Sequence, residues 1–293
     1  MTILSAILAP DPLELILPPL FLAIGAAAAV AMGVFRRGSI VGPVRLEDND
    51  PLEPLAVAIG GGMMVYFYGS LLALQRLPGG HGGPATAPDD TVTQANVVVD
   101  LLARAGAVAV IVTLLLLWYR QPWRLGFSLK RIPRGVATGL LSLLMVLPLM
   151  MVVLLATSQV LPPDAQYVHP YLKLLGQSQD AVWRDLILLS ILIAAPLSEE
   201  LFFRGCVQTA LSSWISRHVT RWPPSRTRWL AVVLTSMMFA MAHSDWWSRP
   251  PIFVLSLCLG YSYERTGNLW APITIHAAFN ASQAWLFGHS NWL

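Results

Sequence analysis

The stretch DLILLSILIAAPLSEELFFRGCVQTAL, from Asp185 to Leu211, decides how this chain is read. Leu186 to Leu197 is apolar apart from Ser190, and two adjacent carboxylates, Glu199 and Glu200, follow directly after Ser198. Arg204 comes four residues after the second of them. Acidic residues inside a membrane span are costly and usually face a bundle interior or a polar cavity. The stretch is therefore predicted as a transmembrane helix that starts near 185 and runs to Phe203 or on to Leu211. Pro196, just upstream of the carboxylates, is predicted to kink it.

Working outward, the whole chain has the composition this helix demands. Of 293 residues, 55% are hydrophobic and only 12% charged, and the mean hydropathy is +0.59. A soluble domain carries about 25% charged residues. The charges sit in short clusters between apolar runs, each near the roughly 20 residues a bilayer crossing needs. Besides the stretch quoted, runs at about 14–35, 52–75, 98–118, 135–158, 229–243, 251–263 and 269–288 are predicted to be helical spans. Those at 229–243 and 251–263 are short, through tilt, shielding by neighbours or a re-entrant path, so the count is seven or eight. The Gly/Pro-rich stretch at 79–88 and the segment with Pro162, Pro163 and Pro170 read as loops. The predicted fold class is all-α, a polytopic transmembrane helix bundle of about eight spans. Residues 1–184 hold about four of them, and 185–293 form a C-terminal helical core with the rest.

The formal net charge is +3, but its placement speaks against nucleic acid as a partner. There is no basic repeat or zinc-knuckle spacing, and the cations flank apolar runs. With eight spans, Arg36–Arg37–Arg45, Arg120–Arg134 and Arg217–Arg228 all fall on one side, which the positive-inside rule makes cytoplasmic. Both termini then lie outside. Asp11 and Glu14 precede the first apolar run where a signal peptide would be basic, so that run reads as a retained helix. Cys206 and Cys258, in apolar surroundings, read as small buried hydrophobes.

Most of the spans contain nothing ionisable in their interiors, which makes the exceptions informative. Two carboxylates side by side in low dielectric need a counter-ion. Arg204 lies on the same helical face as Glu200 and is expected to hold it through a bidentate contact. Glu199 points about 100° away, so it is the freer carboxylate for proton transfer. The same three residues could equally be a structural ion cluster. His243 ends an F-x-x-x-H turn with Phe239, either structural or catalytic. Ser244 and Asp245 beyond it are loop residues or orient the imidazole, and Trp246–Trp247 read as an interfacial belt. His276 and Asn280 share one face of the last span. They are either a cross-helix hydrogen-bonding pair or donors to a developing oxyanion. Glu264 and Arg265 read as a loop or interface pair. From expected helix ends, Glu199, His243, His276 and Asn280 stand roughly 18, 21, 12 and 18 Å above the cytoplasmic side, close enough to meet in one layer.

Three motifs in this order resemble those of a known family, the CAAX-processing and bacteriocin-processing intramembrane endopeptidases, which include the type II CAAX prenyl protease and many bacterial Abi-type proteins. They are the E-E-x-x-x-R of Glu199–Arg204, the F-x-x-x-H of Phe239–His243 and the H-x-x-x-N of His276–Asn280. The stretch Arg265–Pro272 is similar to the family's entry into the last motif. The resemblance covers about 185–288 and implies an endopeptidase in which Glu199 and His243 activate water. It further implies that His276 and Asn280 stabilise the oxyanion, while Glu200 and Arg204 support the site. A metal is left open: the cofactor is either none or zinc, and zinc would take Glu199, His243 and His276. The implied partners are the lipid bilayer and a peptide or protein substrate at the membrane, prenylated or of leader type. The implied location is an integral, multi-pass one, in the cytoplasmic membrane if the source is bacterial. Other classes that fit the same residues are a catalytically silent membrane scaffold and a proton-coupled transporter. For the latter, no inverted repeat stands out.

Overall fold

Eight helices account for nearly all the regular structure in the computed structural model, which describes residue 40 and residues 50–76, 94–119, 125–158, 170–243 and 248–289. They are α1 (Glu53–Arg76), α2 (Gln94–Tyr119), α3 (Ile132–Ser158), α4 (Pro170–Gln177), α5 (Ala181–His218), α6 (Pro224–Met241), α7 (Arg249–Thr266) and α8 (Trp270–His289). No strand occurs among the described residues. The expected span at 14–35 lies outside them, as do the Gly/Pro loop, Arg36, Arg37, Arg45, Arg120, Arg124 and residues 244–247. The other seven expected spans each coincide with a helix. One expected loop does not hold throughout, because Pro170 opens α4, where its missing N–H falls among the groups a first turn leaves unbonded anyway.

Three of the helices are long and apolar enough to cross a membrane: Gln94–Trp118, Leu129–Met150 and Ala181–His218. Their outer faces carry exposed large apolar side chains, among them Leu102, Leu117, Leu141 and Ile193. Their inner faces meet in two cores. Leu55, Ile111, Leu115, Leu201, Tyr263 and Leu269 join α1, α2, α5 and α7 to the turn before α8. Val146, Met150, Leu255, Leu259 and Ile275 join α3, α7 and α8.

Helix α5 is the axis of the bundle, and it is not a uniform α-helix. Asp180 caps it, its side chain accepting from the Val182 N–H at 2.8 Å. Two π-helical stretches, Ser190–Ala194 and Leu201–Gln208, then flank the α-helical Ala195–Glu200. Pro196 removes one N–H from the ladder and crowds the turn before it, and the wider π turn immediately upstream accommodates that crowding. The expected Pro196 distortion is thus a change of helical pitch. π turns occur mostly as such insertions and often mark functional sites.

Close approach of α3 to α8 rests on Gly135 and Gly139. A Cβ at Gly139 would stand 2.6 Å from Thr274 Cβ and 2.8 Å from the Ala271 carbonyl, and one at Gly135 would overlap Trp270 Cβ. Small residues four apart allow such helix contact where lipid supplies no hydrophobic drive between helices. Because a backbone carbonyl cannot rotate away, Gly139→Leu should cost about 1–3 kcal/mol by overpacking, read as a lowered thermal midpoint in detergent. An unchanged midpoint would show that the two helices separate freely.

One end of the bundle gathers the start of α1, the ends of α2, α5 and α7, and the starts of α3, α6 and α8. Arg217 donates to the Asp50 carbonyl at 2.7 Å, Tyr263 to the Leu125 carbonyl at 2.7 Å, and Asn268 to the Arg131 carbonyl at 3.0 Å. Gly267, at φ 59°, closes α7 in the left-handed region. Lys130–Arg134 and Arg217–Arg228, the described parts of two expected basic loops, therefore share this end. Glu264 also lies here, but not in a loop. It is fully buried in the last turn of α7, accepting from Arg228 at 3.0 Å and Gln208 at 2.9 Å. Burial of that carboxylate requires such partners, and they come from α6 and α5.

Candidate active site

Glu200 and Arg204 are completely buried. The Arg204 Nη1 donates to Glu200 Oε1 at 3.0 Å, while its Nη2 donates to Ser256 Oγ at 2.6 Å and to the Ser256 carbonyl at 3.3 Å. The expected pairing is present, but the expected bidentate geometry is not. Ser256, on α7, takes the second arm of the guanidinium fork, and Glu200 Oε2 has no hydrogen-bond partner among the described residues. The guanidinium also lies 4.6 Å from the centre of the Phe239 ring, which stacks a cation on an aromatic face in a dry interior.

His276, on α8, reaches the same carboxylate: its Nδ1 is 2.9 Å from Glu200 Oε1. A carboxylate can only accept, so Nδ1 carries the proton and Nε2 faces away. Phe239 ties the histidines together, its ring centre 5.8 Å from that of His276 and 5.0 Å from that of His243. His243 sits just past the end of α6, with Nδ1 2.8 Å from the Phe239 carbonyl. That carbonyl likewise holds the proton on Nδ1 and leaves Nε2 as a lone pair. No hydrogen bond joins His243 to Glu199 among the described residues, yet both imidazoles are close enough to interact electrostatically with the Glu199 carboxylate. Asn280 donates from Nδ2 to the Ile191 carbonyl at 2.8 Å, inside the first π stretch. Among the described residues the second N–H of its amide has no partner.

Helix ends differ from those behind the depth estimate, since α5 runs on to His218 and α6 begins at Pro224. The polar groups of α5 and α8 still meet, because direct contacts set their heights.

Glu199 is partly exposed and, as expected from its offset, is not held by Arg204. It is not free either. Arg104, on α2, donates from Nη1 to Glu199 Oε1 at 2.8 Å and to Ser198 Oγ at 3.1 Å. The Arg104 Nε lies 2.9 and 2.8 Å from the two oxygens of Asp100. Asp100 accepts as well from Tyr66 on α1 at 3.1 Å and Ser190 on α5 at 2.9 Å. Tyr171, on α4, reaches it too, and burial beside this carboxylate keeps the Tyr171 phenol protonated well above the usual range. Span interiors are thus less devoid of charge than expected. Asp100 and Arg104, at i,i+4 inside the run expected at 98–118, were the available signal.

Among the described residues no three His, Cys, Asp or Glu side chains converge as a metal site. Glu199 Oε1 is committed to Arg104 and His276 turns its Nδ1 to Glu200. A zinc ion would have to take Glu199 Oε2 and His276 Nε2, and the described residues do not gather these with a third ligand. Both cysteines are free thiols.

The described residues form an all-helical fold around a buried Glu/His/Arg network. Residues 181–282 match the family model described as type II CAAX prenyl endopeptidase Rce1-like. A 94-residue stretch is 35% identical to an uncharacterised 24.3 kDa protein of Escherichia coli, covering 31% of this chain and 39% of that protein. A 100-residue stretch is 32% identical to the uncharacterised protein YpbD of Bacillus subtilis, covering 33% of this chain and 42% of that protein. The chain therefore spans about two-fifths of the length of these curated relatives. No solved structure matches it at a significant level.

Proposed function

We propose that this protein is a multi-pass membrane endopeptidase that hydrolyses a peptide bond of a membrane-associated substrate, prenylated or of leader type. The observation that carries the reading is the meeting of α5 and α8 on one carboxylate oxygen, Glu200 Oε1, beside a second carboxylate that Arg204 leaves alone. In this reading the basic end of the bundle is cytoplasmic, and residues 181–293 supply the reacting groups.

The chemistry follows from which atoms are committed. A water between Glu199 and His243 gives up a proton to Glu199 as its oxygen attacks the peptide carbonyl carbon. The lone pair on His243 Nε2 accepts the second O–H and orients the water. The carbonyl π pair moves onto oxygen, and the resulting oxyanion is met by His276 Nε2 and the remaining Asn280 N–H. With Nδ1 donating to Glu200, His276 meets the oxyanion from Nε2 as a doubly protonated ring. Collapse of the tetrahedral carbon breaks the C–N bond, and Glu199 returns its proton to the departing amine.

The test is cleavage of a library of lipid-anchored peptides by the full chain in detergent. Wild type should yield products, and His243→Ala should lower the rate by about 100-fold or more. The variant should keep its thermal midpoint, because His243 is partly exposed at a helix end. Equal cleavage by both proteins would sink the assignment.

A further inference from the structure

The Asp100–Arg104 pair lies outside the family-matched segment, yet it touches the carboxylate on which the proposed chemistry depends. Two charges inside a span of mean hydropathy 2.3 call for a reason, since such residues are rare there and tend to be functional. Pairing within α2 alone would have sufficed for neutrality. The side chain instead divides its donors, Nε to Asp100 and Nη1 to Glu199 and Ser198.

Asp100 is in turn held by hydroxyls from three other helices, Tyr66, Tyr171 and Ser190. Arg104 is therefore fixed from behind before it meets Glu199, and its guanidinium lies against the Tyr66 ring at 5.4 Å. Donors fixed in this way orient a reacting group without reorganisation during the reaction. Arg104 takes only Oε1 of Glu199, so the other oxygen is not claimed by it. Because its charge is shared with Asp100, Glu199 is steadied without being fully neutralised.

We propose that Arg104, anchored by Asp100, is a positioning residue for Glu199, and that α1, α2 and α4 thereby complete the site built on α5, α6 and α8. The proposal rests on the endopeptidase reading for its role in the reaction, and on geometry alone for the holding of Glu199. The matched domain then lacks part of its own machinery when taken without residues 53–119.

Two measurements on the full chain in detergent separate these parts. The first is a double-mutant cycle in thermal midpoint between Arg104→Gln and Glu199→Ala, the alanine removing the acceptor of the Arg104 Nη1 bond. Coupled shifts, with the double variant less affected than the sum of the singles, show that Arg104 holds Glu199; additive shifts overturn the proposal. The second is the lipid-anchored peptide assay on Arg104→Gln, Arg104→Lys and Asp100→Asn. Arg104→Gln should lower kcat by about 10- to 100-fold with KM little changed. Arg104→Lys, which keeps the charge but not the fork, should recover part of the loss, and Asp100→Asn should cost less than Arg104→Gln. An unchanged kcat, a change confined to KM, or a lysine variant no better than glutamine overturns the proposal. If wild type cleaves nothing, the endopeptidase reading fails, and the thermal cycle still judges whether Arg104 holds Glu199.

Discussion

Glu199→Gln should reduce peptide cleavage by about 100- to 10,000-fold, the span general acid–base groups contribute, while leaving the bundle folded. Glutamine keeps the shape and can still accept from Arg104 Nη1, which is 2.8 Å from Glu199 Oε1 in the wild type. What it cannot do is take a proton from water and return it to the leaving amine. Arg104 retains its ion pair with Asp100, so no buried cation is stranded by the change. A fall in rate without a comparable fall in thermal midpoint is the expected signature. The measurement is the initial rate on the lipid-anchored peptides, with the midpoint taken on the same preparation. Wild-type rates in this variant would favour a scaffold that binds membrane proteins without cutting them.

The second large effect concerns folding. Arg204→Met should destabilise the protein by about 3–5 kcal/mol, the cost of removing one partner of a buried ion pair. Arg204 and Glu200 have side-chain exposures of 0%. The substitution leaves Glu200 with His276 as its one neighbouring donor, strips Ser256 of its partner and removes the cation from the face of Phe239. The double variant Glu200→Gln with Arg204→Met should be more stable than Arg204→Met alone, because the stranded charge is gone. Denaturant or thermal unfolding in mixed micelles checks both statements. A single variant as stable as wild type, or a double variant worse than the sum of the singles, would show that the pair does not hold α5 to α7.

Much of the layout was legible because its causes are local. Seven helices follow from apolar run length, and the Glu200–Arg204 contact from an i,i+4 spacing. Glu199 stands apart from Arg204 because an angular offset of about 100° is built into a helix. The failures share a different cause. The bidentate pairing of Glu200 was expected because Arg204 has two arms, but Ser256, 52 residues away, claims one. Glu264 looked like a loop residue because its partners, Gln208 and Arg228, lie on other helices. Asp100 and Arg104 resemble a self-satisfied intrahelical pair. Only the packing of α2 against α5 turns the guanidinium toward Glu199.

The sequence alone determined that Asp185–Leu211 is helical and apolar, that it carries two carboxylates of unequal standing, and that two later helices carry the histidines. Those properties depend on spacing and solvation within single segments. The tertiary structure decided which atoms of those side chains remain available. It set the proton on Nδ1 of both histidines, tied one Asn280 N–H to the Ile191 carbonyl, and brought Arg104 to Glu199. Hydrogen-bond commitments between helices depend on rotation and height. In α5 these are changed by two π stretches that local pattern does not reveal.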